Sequence, residues 1–261
     1  MDSVFKFGLF ALFPICLAAC DPAFYVPNQL NMPLASEAKT IKASLYTGTG
    51  GVGAEASYTI DSHFVVMASG LSNNLSLLGR NQKFSYDIGG GMYLPVNNLV
   101  FVEGLAGLGY GRTDVDVIYN KSGDINDKQE DVMHGSYTRV FAQVDIVRNF
   151  ELTNDIFGFG IRLSGLAPVG FSYRRFTIIS SHASTTQPPP APMIIEDSTL
   201  NHLSNALFIE PALSFNHQIG DHLIFHTSIG ISYCLSGYNW NSQFNTVYWP
   251  VMATMGFTFM Y

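Results

Sequence analysis

The sequence predicts an all-β fold, an antiparallel transmembrane β-barrel of about ten strands in meander order, and three features carry that prediction. The first is unbroken alternation at the C-terminal end. Val247, Trp249, Val251, Ala253, Met255, Phe257, Phe259 and Tyr261 are apolar or aromatic, and the residues between them are smaller or more polar on average. Successive side chains of a strand point to opposite faces, so a period of two means a strand, here with one wholly apolar face. The second is composition: 13% of residues are charged and 13% aromatic. Soluble domains carry about a quarter charged residues, so this chain suits a surface that meets lipid. The third is a regular exchange of tight turns and long polar connections along residues 39–261.

Taken in order, residues 4–17 form an apolar run closed by Ala18, Ala19 and Cys20. A membrane-spanning helix needs about 20 apolar residues. The shorter run therefore fits a secretory signal peptide over residues 1–19. Leu17-Ala18-Ala19-Cys20 resembles a bacterial lipoprotein signal, in which the Cys20 thiol takes a diacylglycerol and becomes the anchor. Residues 20–38 carry Pro22, Pro27 and Pro33 among Asn and Ser and read as a lipidated periplasmic tether. Of the three cysteines, Cys16 leaves with the signal and Cys20 is acylated. Cys234 then has no intramolecular partner, which excludes a disulfide framework.

Strands are expected over 39–48, 51–60, 63–71, 82–93, 98–112, 135–150, 156–176, 204–218, 222–236 and 247–261. Connections at 60–62, 95–97, 151–155 and 220–221 are short and rich in turn formers. Those at 72–81, 113–134, 177–203 and 237–246 are long and polar, and only the first loop, at Gly48 to Gly51, is short. Short turns on one side and long loops on the other mark a membrane barrel with both termini in the periplasm. An even strand count closes without an exposed edge, which lipid would not tolerate. Aromatics near strand ends suggest two interfacial girdles. Tyr46, Tyr110, Tyr137, Tyr173, Tyr233, Tyr238 and Trp240 lie on the loop side, and Tyr58, Tyr93, Phe150, Phe157 and Tyr261 on the turn side.

The alternation also decides what faces the lumen. Lys42, Glu55, Lys83, Asp87, Glu103, Arg139, Asp145, Arg162 and Glu210 all fall on the polar phase of their strands. A Lys or Arg turned toward lipid at mid-depth would cost about 2–4 kcal/mol. Four positive groups then meet five negative ones in a narrow interior, where opposite charges must pair. A salt-bridged, largely plugged lumen follows.

This pattern resembles the small outer-membrane β-barrel proteins, the OmpA-like group in the broad sense, over residues 39–261, and the lipidation motif resembles lipoprotein barrels of some Gram-negative lineages. The resemblance implies a protein without enzymatic activity that acts in envelope integrity, adhesion or limited permeation. Ten-stranded barrels also include the omptin proteases, which use acidic residues and an Asp–His pair near the extracellular rim. Asp114 and Asp116 lie just above the fifth strand and read as a solvated loop hairpin, His134 stands at the start of the sixth strand, and His182 and His202 flank the fourth long loop. The chain holds no Asp-x-His pair, which counts against a protease. His226 and Ser228 share the lumenal phase, as any polar alternation would place them. The acidic stretch Asp124 to Asp131 lacks the turn glycine and terminal bidentate Glu of a Ca²⁺ loop. Pro188, Pro189, Pro190 and Pro192 favour an extended polyproline segment.

No catalytic residues, metal or cofactor are expected. A net charge of −7 excludes nucleic acid as a partner. The expected function is that of a monomeric, non-enzymatic outer-membrane lipoprotein barrel. Its partners are outer-membrane lipid and an extracellular ligand reached through loops 113–134 and 177–203. A narrow channel for ions or small solutes is the alternative, and a rim-located hydrolase comes after it.

Overall fold

The structure, a computed structural model, describes residues 23–30, 32, 38–74, 79–120, 127–150, 153–179, 193–237, 240 and 251–261. The signal peptide, Cys20, His182, Tyr238 and the polyproline stretch lie outside the described residues.

One antiparallel sheet is built from β1 (Ile41–Gly48), β2 (Gly51–Thr59), β3 (Phe64–Asn73), β4 (Gly79–Pro95), β5 (Val100–Asn120), β6 (Asp127–Phe150), β7 (Asp155–Ile179), β8 (Met193–Leu200), β9 (Ala206–Gln218), β10 (Leu223–Ile231), β11 (Tyr233–Ser236) and β12 (Val251–Met260). β8 and β9 take the upper and lower parts of one position beside β7. β10 and β11 both pair with β9 and form one strand interrupted at Ser232. Twelve segments less these two shared positions give a closed meander barrel of ten strands. Closure is made by β12 against β1, from Lys42 opposite Met260 to Gly48 opposite Thr254. Ile41 and Tyr261 exchange two backbone hydrogen bonds of 2.9 Å at the end of that seam.

The short turns are fixed by their own side chains. Asp61 Oδ1 accepts from the backbone N–H groups of His63 and Phe64 at 2.7 and 2.9 Å. Asn97 Oδ1 accepts from those of Leu99 and Val100, both at 2.9 Å. Asn154 holds a left-handed φ of 55° between β6 and β7, a conformation that asparagine tolerates well. These turns all lie at one end, the turn side.

Outside, Ile41, Leu45, Phe84, Ile88, Val140, Val144, Leu213, Ile229 and Phe257 are exposed. A closed ladder with such an exterior is that of an outer-membrane span, where backbone groups pair among strands and apolar side chains meet hydrocarbon.

The structure departs from the sequence reading in three ways. First, within the expected loops 113–134 and 177–203 the described residues 113–120, 127–134, 177–179 and 193–200 are strand. β5 and β6 stay paired as far as Asn120 opposite Lys128, and β7 pairs with β8 from Tyr173 to Ile179. Two hairpins therefore project beyond the barrel wall. Second, Tyr46, Tyr137, Tyr173, Trp240 and Tyr93 are buried, so they belong to the interior and not to a girdle. Tyr46 and Tyr137 share the phase of Lys42 and Arg139. Tyr173 turns inward because a bulge at Gly170 (φ +61°) shifts the buried phase of β7 from Arg162, Ser164 and Leu166 to Phe171 and Tyr173. Third, residues 23–30 are not a periplasmic tether. They run through the lumen, with Phe24, Tyr25 and Asn28 almost wholly buried.

Candidate functional site

The lumen is organised in three layers around residues 23–30 and 32. On the loop side an aromatic cap closes over Phe24. Its ring meets Phe171 edge-on at 4.9 Å and Tyr137 at 5.6 Å between centroids. Trp240 sits 6.2 Å away and donates its indole N–H to the Ser204 carbonyl at 2.8 Å. Val115, Val117, Met133, Leu166, Tyr173, Leu203 and Phe208 complete this buried cluster. The Thr113 hydroxyl donates to the Phe24 carbonyl at 2.7 Å, which satisfies a buried backbone group.

The middle layer holds the ion pairs. Asp87 on β4, Gly109 on β5 and Arg139 on β6 stand side by side in register. Because Gly109 has no side chain, Arg139 reaches across β5 and pairs with Asp87, its Nε donating to Oδ1 at 3.1 Å. Arg162 on β7 faces Glu210 on β9 directly, and its Nε donates to Oε2 at 2.6 Å.

The threaded segment joins the two pairs. The Tyr25 hydroxyl accepts from Arg139 Nη1 at 2.9 Å and donates to Glu210 Oε1 at 2.7 Å. Asn28 Nδ2 donates to Asp87 Oδ2 at 2.7 Å, while Asn28 Oδ1 accepts from the Ser85 hydroxyl at 2.6 Å. Arg162 Nη2 donates to the Asn28 carbonyl at 2.8 Å. Ser164 and Ser232 donate to Glu210 at 2.8 and 3.2 Å. Buried charges are tolerated only when paired and hydrogen-bonded, and here the segment supplies part of that completion.

The lower layer lies toward the turn side. Glu103 on β5 stands directly across from Asp145 on β6, and Gln143 Nε2 donates to Asp145 Oδ2 at 2.8 Å. Above it, close to the level of the ion pairs, Thr254 donates to Gln29 Oε1 at 2.9 Å. Leu30 packs with Ala212, Met252 and Met32. Lys42 and Glu55 line a cavity with Gln29, Leu30, Met32 and His226 that measures about 30 Å³. That is roughly the volume of one water molecule. Lys83 stands on the loop side between Asn73 and Thr113 in register.

Of the nine charged residues expected in the lumen, all point inward, and the structure joins four of them into the pairs Arg139–Asp87 and Arg162–Glu210. The residues that sequence reasoning missed are Tyr25, Asn28 and Gln29. A signal for them exists: Phe24-Tyr25-Val26 is an apolar triplet, and residues 22–36 contain no charge. A solvated linker is usually polar or charged.

The acidic and histidine side chains of the upper strands and of the lumen form further contacts. Asp114 Oδ1 lies 2.9 Å from His134 Nδ1, and its Oδ2 lies 2.6 Å from Arg80. All three face outward, away from the lumen. In the projecting part of β6, partial burial and then the neighbouring Asp116 carboxylate raise the Glu130 carboxyl above its ordinary value. Asp131 is buried; it accepts from Arg175 Nε at 2.7 Å and from the Tyr173 hydroxyl at 3.1 Å. His226 Nδ1 lies 3.2 Å from the Thr258 hydroxyl and Ser228 bonds Thr254 at 2.7 Å. Among the described residues no group of three or more His, Cys, Asp or Glu is arranged to hold a metal ion. Cys234 is a buried free thiol.

No protein-family model matches this chain, and no curated protein matches it in sequence. Among solved structures it is similar to the outer-membrane protease OmpT of Escherichia coli, with 10% identity, a TM-score of 0.46, and 85% of this chain and 92% of that one covered. It is similar also to the translocator domain of the autotransporter NalP of Neisseria meningitidis, with 10% identity, a TM-score of 0.39 and 85% of both chains covered. A third is the toluene transporter TodX of P. putida, at 7% identity and a TM-score of 0.34, with 85% and 88% covered.

Proposed function

We propose that this chain is a non-enzymatic outer-membrane lipoprotein barrel with a closed lumen, anchored through Cys20, whose role is structural or lies in surface interaction. The observation that carries the reading is the occupation of the lumen by residues 23–30, tied into both buried ion pairs through Tyr25 and Asn28. The small cavity beside Gln29, about 30 Å³ in volume, supports a closed interior at that level. The hairpins β5–β6 and β7–β8 carry the surface on offer to an extracellular ligand. They expose Lys128, His134, Met193, Ile194 and Glu196. The competing reading is a narrow channel for ions or small solutes. Planar-bilayer recording of the purified folded protein separates the two. The closed barrel stays silent, whereas regular conductance steps in the wild type would make the channel the correct reading.

A further inference from the structure

We propose that the chain descends through the lumen from the loop-side mouth, so that the residues ahead of Ala23 stand at the external face of the membrane. The acyl chain on Cys20 then enters the outer leaflet. That second statement rests on the lipoprotein reading above; the first does not.

The direction is read from the order of contacts. Ala23 and Val26 are buried with Tyr46 and Leu71, which lie two residues from the loop-side ends of β1 and β3. A Cβ built on Gly50, in the external turn, would come within 2.8 Å of the Val26 side chain. Phe24 bonds Thr113 and packs on Phe171, both at the height where β5 and β7 leave the apolar band. Asn28 sits at the central ion pairs. Met32 Sδ then lies 3.0 Å from Ser214 Oγ and beside Gly158, three residues past the start of β7 at the turn side. The segment thus moves steadily downward, and β1 begins at the turn side where it arrives.

The reach of the chain fixes the rest. Ala23 is three residue steps from Cys20, and an extended chain covers at most about 3.6 Å per residue, so Cys20 lies within roughly 11 Å of Ala23. The apolar band of such a barrel is about 25 Å tall. A residue tied that closely to the loop-side mouth does not reach the periplasmic leaflet. Return through the lumen is blocked by the segment itself and by the aromatic cap.

The test is labelling with a membrane-impermeant maleimide on intact cells. Pro22→Cys is compared with Asn201→Cys, in the loop-side connection between β8 and β9, and with Asp221→Cys, in the β9–β10 turn. Each variant is first confirmed folded by heat-modifiable migration. Labelling of Pro22→Cys on intact cells to the extent seen for Asn201→Cys supports the proposal. Labelling only after permeabilisation, as for Asp221→Cys, overturns it. An epitope inserted after Asp21 gives an independent readout: antibody binding to intact cells supports the topology, and binding only after lysis overturns it. The wild type separates the two readings, because a maleimide-reactive Cys20 on intact cells removes the acyl anchor while leaving the external topology in place.

Discussion

Gly109 shows how one missing side chain organises the interior. It lies between Asp87 and Arg139 in the register of β4, β5 and β6, and a Cβ there would overlap the Asp87 carboxylate. Gly109→Ala should therefore lower stability by displacing the ion pair. Arg139→Met should cost more, about 3–5 kcal/mol, because it leaves the Asp87 charge buried without its cation. Urea unfolding in lipid vesicles measures both. Adding Asp87→Leu to Arg139→Met removes the orphaned charge and should recover part of the loss. A double variant less stable than Arg139→Met alone would contradict the pairing. Acylation also belongs at this scale. A palmitate analogue should label the wild type and not Cys20→Ala, and equal labelling of the two would remove the anchor from the account.

The strands β5 and β6 show why period alone gave the barrel but not the projecting hairpin. Within the bilayer their apolar residues, such as Leu108, Val140 and Val144, point outward and the polar ones inward. Above it the phase is kept but the polarity inverts. Val115, Val117 and Met133 are buried, while Asp116 faces water and Asp114 faces outward. Inside the membrane the outer solvent is hydrocarbon; beyond it the outer solvent is water, so the same alternation carries the opposite composition. Acidic residues at 114, 116, 130 and 131 were therefore legible as outside the bilayer but not as strand. Val115→Asp should loosen the hairpin and the aromatic cap, whereas Asp116→Val should leave both intact. Limited proteolysis of the folded protein checks this, with new cleavage within residues 113–134 expected for Val115→Asp alone. Equal resistance of the two variants would contradict the inverted hairpin.

At the scale of the molecule, ten wall strands, closure of β12 on β1 and the inward phase of the lumenal charges were all readable, because each follows from a period of two along one strand. The interior partners were not. Arg139 pairs across an intervening strand, and the bulge at Gly170 shifts a phase that Pro168 and Gly170 mark as breakable without saying where the alternation resumes. The lumen segment was least legible, since residues 23–32 have no period and their role is set by contacts with strands far along the chain. Deleting residues 23–30 should convert a silent barrel into a conducting one, with channel noise in planar bilayers. Continued silence would mean that the wall side chains close the lumen by themselves. The most direct measurement of the threaded lumen is disulfide trapping in a Cys234→Ala background. Val26→Cys with Gly50→Cys probes the loop side, and Met32→Cys with Ser214→Cys probes the turn side. The account predicts that oxidation of the folded protein joins both pairs within one chain. A barrel that folds normally while neither pair forms an intramolecular bond would contradict it.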